Sequence, residues 1–196
     1  MTWVLRICGV LAALTLVSLT VPLSHIDELR DGHTSAAATF GTTVEAAQAA
    51  AVCDKNPKDA NLNFTLKDSA GRDFNLGSQK GKVILLDFWA TWCPPCKVEI
   101  PWFVEFQQKY GPKGLVVIGV SVDDPAAKLK PFGDEYKVNY PLLVGDGRDD
   151  IKGPRGYNAA WGLPKTFVIA RDGKICKTHI GLSVKEHFEQ QIKSLL

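Results

Sequence analysis

The sequence predicts an α/β fold in which a central mixed sheet carries helices on its faces. Two unbroken apolar runs, VILLDFWA at 83–90 and LVVIGVSV at 115–122, have the length of strands buried on both faces. Helix signals follow at 94–110 and from about 124 to 136, and an order of strand, helix, strand predicts parallel neighbours.

Two predicted hairpins add antiparallel strands to this pattern. Alternating apolar residues at 62–66, followed by a turn at 68–71, predict an added N-terminal β-hairpin. Near the end of the chain, the runs at 166–170 and 174–181 are joined by an Asp-Gly turn, which is typical of an antiparallel hairpin. The sheet is therefore expected to be mixed.

A last helix is predicted to cover the sheet. Ser183 and Glu186 have the spacing of a capping box, which marks a helix start. Apolar residues then recur at helical spacing: Val184, Phe188, Ile192 and Leu195. In the mixed stretch before the late hairpin, only a short helix at 151–157 is predicted.

The charge balance excludes one class of partner. The 196 residues include 23 basic and 21 acidic ones, with a formal net charge of +2. Because nucleic acids are drawn to strongly positive surfaces, we expect no nucleic-acid partner.

An uncharged apolar run at 7–23 predicts that residues 1–24 form a membrane anchor or a signal sequence. The small residues at 36–38 lie too far downstream for ordinary cleavage, which favours an uncleaved single-pass anchor in the cell inner membrane. Arg6 on its flank places the rest of the chain outside the cytoplasm, in the periplasm or extracytoplasmic space. We expect a flexible tether at 25–59, poor in aromatic residues, and a folded domain at 60–196.

Cys93 and Cys96 form a C-x-x-C at the point where a buried strand ends and a helix begins. The positive end of the helix favours a thiolate at Cys93, which is expected to be the exposed sulfur of the pair. Cys93 can attack an external disulfide and Cys96 can resolve the mixed disulfide. Lys97 stands where haem attachment needs His, and the remaining cysteines are not spaced for zinc. We expect no metal and no cofactor beyond this redox-active disulfide.

Pro94 and Pro95 lie between the two cysteines and are expected on the substrate-facing surface. Neither has a backbone N–H, so the Cys93 thiolate loses two hydrogen-bond donors. The reduced form is then weakly stabilised, which predicts a reductant. Lys165 is the one nearby cation, and we expect it to be a solvated surface lysine.

The motif WCPPC at 92–96 after a buried strand, with LPKT at 163–166 before a second one, resembles the thioredoxin fold. The opening hairpin, the long connection before Pro164 and the N-terminal anchor resemble its TlpA/ResA-type branch of membrane-anchored thiol-disulfide oxidoreductases. The resemblance covers about residues 60–196.

This resemblance implies roles for individual residues. Cys93 would be the nucleophile and Cys96 the resolving thiol. Pro164 stands where the family has a cis-proline beside the dithiol, which leaves backbone groups of Leu163 free to pair with an extended substrate strand.

Three tryptophans lie near this predicted site. Trp92 would offer an apolar shelf next to Cys93, or alternatively is a half-buried packing residue. We expect Trp89 and Trp161 in the core, with lining of the groove near Pro164 as the alternative for Trp161.

Two carboxylates are candidates for the base that activates Cys96. Asp87 lies inside the buried strand where thioredoxins carry an acid, and Glu99 lies three residues after Cys96, where TlpA/ResA-type proteins often carry a glutamate. Because burial raises the pKa of an Asp in an apolar run, we favour Asp87 and expect Glu99 to be solvated.

Cys53 and Cys176 stand alone in the sequence. In an oxidising compartment two such cysteines tend to pair, so a structural disulfide between them is a candidate, with two free thiols as the alternative.

The predicted function is the reduction of protein disulfides outside the cytoplasmic membrane. The family's substrates are typically apocytochrome c thiols or proteins of cytochrome-oxidase and copper assembly. Electrons would come from a membrane dithiol donor, because no Gly-rich nucleotide site is present. A thiol peroxidase would need Thr or Ser at position 90, which is Ala. A copper-delivery chaperone, with Cys93, Cys96 and His179 as ligands, is the other alternative.

Overall fold

The computed structural model describes residues 53–153, 155–159 and 161–196. The predicted anchor at 1–24 and the predicted tether up to residue 52 lie outside these ranges. Within them, no helix combines the length and the apolar character needed to cross a membrane.

A six-stranded sheet forms the centre of the domain. The strands in chain order are β1 (Lys58–Asp59), β2 (Thr65–Lys67), β3 (Asp73–Asn75), β4 (Val83–Trp89), β5 (Leu115–Ser121), β6 (Leu142–Val144), β7 (Lys165–Ile169) and β8 (Lys174–Ile180). Their order in the sheet is β1-β8-β7-β4-β5-β6, and β2 pairs with β3 in a separate hairpin. Strand β5 runs parallel to β4 and β6, whereas β7 is antiparallel to β4 and β8. The predicted mixed sheet and added N-terminal hairpin are confirmed.

The helices pack on this sheet through apolar faces. They are α1 (Pro94–Tyr110), α2 (Ala126–Glu135), α3 (Asp149–Lys152) and α4 (Lys185–Leu195). Strand β4 is buried along its whole length, as expected for a strand covered on both sides. Phe103 of α1 meets Phe188 of α4 edge-to-face, with ring centroids 5.3 Å apart. This contact fixes the C-terminal helix against the helix that carries the cysteines.

The predicted capping box at the start of α4 is wrong. The N-cap residue is Val184, which is exposed and makes no side-chain cap. The Ser183 N–H instead donates to the buried carboxylate of Glu99, 2.8 Å away. A tertiary partner therefore replaces the local one. The short helix predicted at 151–157 covers Asp149–Lys152 instead.

Long-range contacts hold residues 53–59 against the domain. Cys53 is disulfide-bonded to Cys176, and the Asp54 N–H donates to the Cys176 carbonyl at 3.0 Å. Lys58 then pairs with Ile175 in the β1–β8 ladder. Residues 53–59, expected as tether, lie against β8 because of these long-range contacts, which composition does not reveal.

Candidate redox site

Cys93 and Cys96 are joined by a disulfide at the N-terminus of α1. Cys93 is the N-cap residue, and its Sγ accepts the Cys96 N–H over 3.3 Å. Pro94 and Pro95 occupy the first two positions of the helix. Since neither proline has an N–H, the start of the helix offers the Cys93 sulfur the Cys96 amide and few other donors.

The pair is covered more fully than expected. In the disulfide-bonded state Cys93 exposes 2% of its surface and Cys96 exposes 1%, so the expectation of an exposed Cys93 is wrong for this state. The neighbours Trp92 and Pro94 are exposed.

Trp92 is 59% exposed, and its Nε1 donates to the Asp123 carboxylate at 3.0 Å. This hydrogen bond ties the exposed indole to the loop that follows β5. Trp89 is buried, as predicted. The expectation that Trp161 belongs to the core is wrong, because its side chain is 81% exposed on the connection that leads to Pro164.

The Leu163–Pro164 peptide bond is cis, as the resemblance implies. The Pro164 carbonyl accepts the Gly181 N–H at 2.8 Å, which continues the pairing of β7 with β8. Within the described part of the chain, the Leu163 backbone N–H and carbonyl make no hydrogen bond.

Asp87 lies in the middle of β4 and is 1% exposed. It sits opposite Thr166 in the β4–β7 ladder, and the Thr166 hydroxyl donates to its Oδ1 at 3.1 Å. Burial raises the pKa of Asp87 well above its ordinary value, and the nearby charge of Glu99 raises it further. The threonine hydrogen bond only partly offsets these effects.

Glu99 is buried as well, so the expectation that it is solvated is wrong. Its Oε1 accepts the Ser183 N–H, whereas its Oε2 is buried and has no hydrogen-bond partner in the described residues. Burial raises the pKa of Glu99 to about 7, even though the Ser183 hydrogen bond lowers it. A carboxyl group with this pKa can exchange a proton at neutral pH.

Lys165 follows the cis-proline but is not the solvated lysine expected from sequence. It is 8% exposed, and its Nζ donates to the Asn158 carbonyl at 2.8 Å. Strand alternation directs it to the face of the sheet opposite that of Thr166 and Asp87. It therefore belongs to a different surface from that of the two carboxyl groups.

Sequence reasoning missed Asp124, which supports the loop before Cys93. Its buried carboxylate accepts the Thr91 N–H at 2.7 Å, the Thr91 hydroxyl at 2.6 Å and the Ser121 hydroxyl at 2.7 Å. The order of the strands in the sheet could have indicated this contact. Residues that follow two adjacent parallel strands meet at one edge of the sheet, and Thr91 and Asp124 follow β4 and β5.

The groups that a copper site would need do not converge in the described residues. No cluster of three or more His, Cys, Asp or Glu side chains is found there. His179 Nε2 is instead hydrogen-bonded to Gln191 Oε1 at 2.9 Å.

Comparison with known proteins connects this geometry with a family. Residues 57–178 match the AhpC/TSA family. The thiol-disulfide oxidoreductase ResA of Bacillus thuringiensis is 34% identical over 133 residues, which cover 68% of this chain and 75% of the relative.

Solved structures lead to the same group. A thiol:disulfide interchange protein of the thioredoxin family from Chlorobium tepidum superposes with a TM-score of 0.63 and 28% identity, covering 72% of this chain and 98% of its own. The exposed lipoprotein thioredoxin Etrx1 of Streptococcus pneumoniae superposes with a TM-score of 0.57 and 30% identity, covering 67% of this chain and 98% of its own. The chain belongs to the AhpC/TSA family and is a thiol-disulfide oxidoreductase with a thioredoxin-like fold.

Proposed function

We propose that this oxidoreductase works as a reductant of protein disulfides outside the cytoplasm. The observation that carries the proposal is the start of α1, where Pro94 and Pro95 leave the Cys93 sulfur with the Cys96 N–H as its helix donor. A thiolate with few donors is weakly stabilised, and a weakly stabilised dithiol gives up its electrons readily.

The reaction follows from the order of the two cysteines. The Cys93 thiolate attacks one sulfur of a substrate disulfide, forms a mixed disulfide and releases the other substrate sulfur as a thiolate. The Cys96 thiol, after losing its proton, attacks Cys93 Sγ and displaces the remaining substrate sulfur. Two electrons pass to the substrate, and the Cys93–Cys96 disulfide remains.

The proton on Cys96 needs an acceptor, and the buried carboxyl pair supplies one. Glu99, with its pKa of about 7, is partly ionised at neutral pH, and burial together with the nearby charge of Glu99 raises the pKa of Asp87. The unpartnered Oε2 of Glu99 is a free acceptor inside the protein. We therefore assign the proton acceptor to the pair and favour Glu99 within it, because its Oε2 has no hydrogen-bond partner in the described residues.

The substrate surface is assigned to Trp92, Pro94, Pro95, Leu163 and Pro164. The unpaired backbone groups of Leu163 favour an extended polypeptide that adds a short strand. The exposed indole of Trp92 offers apolar contact beside the disulfide. We place apocytochrome c and cytochrome-oxidase assembly proteins among the substrates because the TlpA/ResA-type resemblance implies them.

The location and the electron source are part of the same proposal. The uncharged run at 7–23 supports a single-pass anchor in the inner membrane, with the domain in the periplasm. The Cys53–Cys176 disulfide supports an oxidising compartment, and the pneumococcal relative is an exposed lipoprotein. A membrane dithiol donor would then re-reduce the Cys93–Cys96 disulfide.

The redox potential tests the direction of electron flow. Equilibration of the domain with glutathione buffers is expected to give a value well below the roughly −120 mV of strong oxidants. The protein is also expected to reduce insulin with dithiothreitol as electron source. A potential near that of the strong oxidants would overturn the reductase assignment.

Substrates can be identified by trapping. The Cys96→Ser variant is expected to retain proteins as mixed disulfides on Cys93, and the Cys93→Ser variant is the matched control that captures none. Capture of the same proteins by both variants would contradict the assigned order of the cysteines.

The location has its own test. Alkaline phosphatase fused after residue 59 is expected to be active, because that enzyme needs an oxidising compartment for its disulfides. An inactive fusion would overturn export.

A further inference from the structure

A cavity of about 490 Å³ lies on the face of the sheet opposite Asp87 and Thr166. Its volume falls in the range of roughly 300–1,000 Å³ that is typical of small-molecule sites. Phe167 and Tyr157 contribute an aromatic floor, with ring centroids 4.9 Å apart. No step of the thiol-disulfide reaction uses this cavity.

Lys165 lines the cavity from β7. Its Nζ lies 5.7 Å from the Phe167 ring centroid and donates one hydrogen bond, to the neutral Asn158 carbonyl. Lys165 has no carboxylate partner among the described residues. An ammonium group has three N–H donors, so this one has donors left for an anion. Burial lowers the pKa of Lys165, which is the cost that a bound anion would offset.

The other charged residues that line the cavity leave it with an excess of positive charge. Lys58 and Arg155 line the cavity and form no ion pair within the described ranges. Asp54 and Asp59 also line it, but each is paired with a lysine: Asp54 with Lys177 at 2.5 Å and Asp59 with Lys174 at 2.7 Å. The unpaired charges are therefore all cations.

A larger groove on the same protein shows the contrast. It measures about 740 Å³ and lies between the β2–β3 hairpin and α2. Its acidic and basic side chains are matched in ion pairs: Asp68 with Arg72, Asp73 with Lys67 and Asp134 with Lys130. Size alone therefore does not distinguish the smaller cavity. The smaller cavity is distinguished by its unpaired cations and its aromatic floor.

One wall of the smaller cavity is held in place covalently. Residues 54–59 supply several lining side chains, and the Cys53–Cys176 disulfide fastens the start of this segment to β8. The pairing of Lys58 with Ile175 fastens its end. The cavity is thus built into the fold by two long-range connections, and pre-formed sites bind ligands at a reduced ordering cost.

We propose that this cavity binds a small organic anion, with a carboxylate group on an aromatic body. The carboxylate contacts Lys165 Nζ and the Arg155 guanidinium, which can bind it in a bidentate manner. The aromatic body lies against Phe167 and Tyr157. The site is separate from the dithiol, so the proposal does not depend on the direction of electron flow.

The test uses 4-hydroxybenzoate as the probe, with the oxidised domain at low ionic strength. Isothermal titration is expected to show saturable binding at one site, and amide NMR signals of Phe167 and Thr178 are expected to shift. The neutral 4-hydroxybenzamide is expected to bind about tenfold more weakly, because it lacks the charge-assisted hydrogen bonds. Inorganic phosphate is expected to bind more weakly as well, since it cannot use the aromatic floor.

Variants assign the binding to Lys165. Lys165→Met keeps the length of the side chain and is expected to weaken 4-hydroxybenzoate binding about tenfold. Lys165→Arg keeps the charge and is expected to change the affinity by less than about threefold. Lys130→Met in the larger groove removes one positive charge elsewhere and is the matched control, expected to leave the affinity unchanged. Should Lys165→Met fail to fold, Arg155→Gln at the exposed rim replaces it, with a loss of about threefold expected.

Four results would overturn the proposal. The first is the absence of saturable 4-hydroxybenzoate binding. The second and third are binding of 4-hydroxybenzamide or of phosphate as tight as that of 4-hydroxybenzoate. The fourth is an equal loss of affinity in Lys165→Met and Lys130→Met. Insulin reduction by the same variants is measured in parallel. It reports on the dithiol alone, so failure of the anion site and failure of the reductase assignment are distinguishable.

Discussion

The Ser183 N–H donates to Glu99 Oε1 over 2.8 Å, across 84 residues of sequence. This hydrogen bond joins the loop before α4 to the first turns of α1, one turn beyond Cys96. It leaves the second carboxylate oxygen of Glu99 buried without a partner. The bond therefore holds a carboxyl group of raised pKa inside the protein, close in the chain to the resolving cysteine.

The first prediction concerns the base that activates Cys96. The sequence favours Asp87 because burial in an apolar strand raises its pKa, with Glu99 expected to be solvated; Glu99 is buried as well, so the same reason applies to it. We expect Glu99→Gln to slow resolution of the mixed disulfide at pH 7 more than Asp87→Asn does, because Glu99 has a pKa of about 7 and an oxygen free to accept a proton. Rapid chemical quench with a labelled peptide disulfide measures this step. A larger effect from Asp87→Asn would assign the base to Asp87.

The second prediction concerns stability against pH. The folded pKa of Glu99, about 7, lies above its ordinary value of 4.5, so the folded state holds this proton more tightly. Its contribution to stability is present below pH 4.5 and is lost as pH rises through 7. Relative to wild type, Glu99→Gln is expected to gain about 2 to 3 kcal/mol in unfolding free energy between pH 4.5 and 8.

Urea unfolding at several pH values measures this difference. Glu186→Gln, at an exposed glutamate of α4, is the matched control and is expected to follow the wild-type pH dependence. The same change of unfolding free energy with pH in wild type and Glu99→Gln would contradict the pKa assigned to Glu99.

The third prediction concerns the loop that precedes Cys93. Burial alone would raise the pKa of Asp124, but the donors of Thr91 and Ser121 outweigh burial and lower it. Asp124→Asn replaces a buried, charged acceptor by an amide, so we expect a loss of about 1.5 to 3 kcal/mol at pH 7. The loss should shrink as pH falls through the lowered folded pKa of Asp124, where the wild-type carboxylate gains its proton.

Asp123→Asn is the control for this prediction, because the neighbouring carboxylate contacts the exposed Trp92 indole rather than the backbone. It is expected to change stability by less than about 1 kcal/mol. Equal destabilisation by the two variants in thermal unfolding would refute the role assigned to Asp124.

The fourth prediction separates the two disulfides. The Cys53–Cys176 bond closes a loop over a sequence separation of 123 residues, whereas the Cys93–Cys96 bond spans three. Removal of the first by Cys53→Ser is expected to cost about 2 to 5 kcal/mol, because the unfolded chain loses a long-range constraint. Removal of the second by Cys93→Ser is expected to cost much less.

Peptide mapping under non-reducing conditions is expected to recover the Cys53 and Cys176 peptides as one species. Alkylation of both cysteines as free thiols in the native protein would refute the pairing. Equal unfolding free energies of Cys53→Ser and wild type would refute its contribution to stability.

Much of the fold and the reacting pair could be predicted from local pattern. The apolar runs that became β4 and β5 are continuous in sequence, and burial on both faces needs no information about partners. The helix from Pro94 to Tyr110 begins and ends at the predicted residues, because proline and glycine signals act locally. Cys93 and Cys96 are one turn apart in any helix that begins there.

What the tertiary structure decided depends on neighbours far away in the chain. Whether Glu99 and Lys165 are buried depends on the loop at Ser183 and on the carbonyl of Asn158, and no local pattern encodes these contacts. The same holds for the network of Asp124, which forms where two parallel strands end side by side. The sequence by itself determined which groups can react, because reactivity starts from residue type and helix position. Their pKa values and surroundings came only with folding, because burial and hydrogen bonding are properties of the assembled chain.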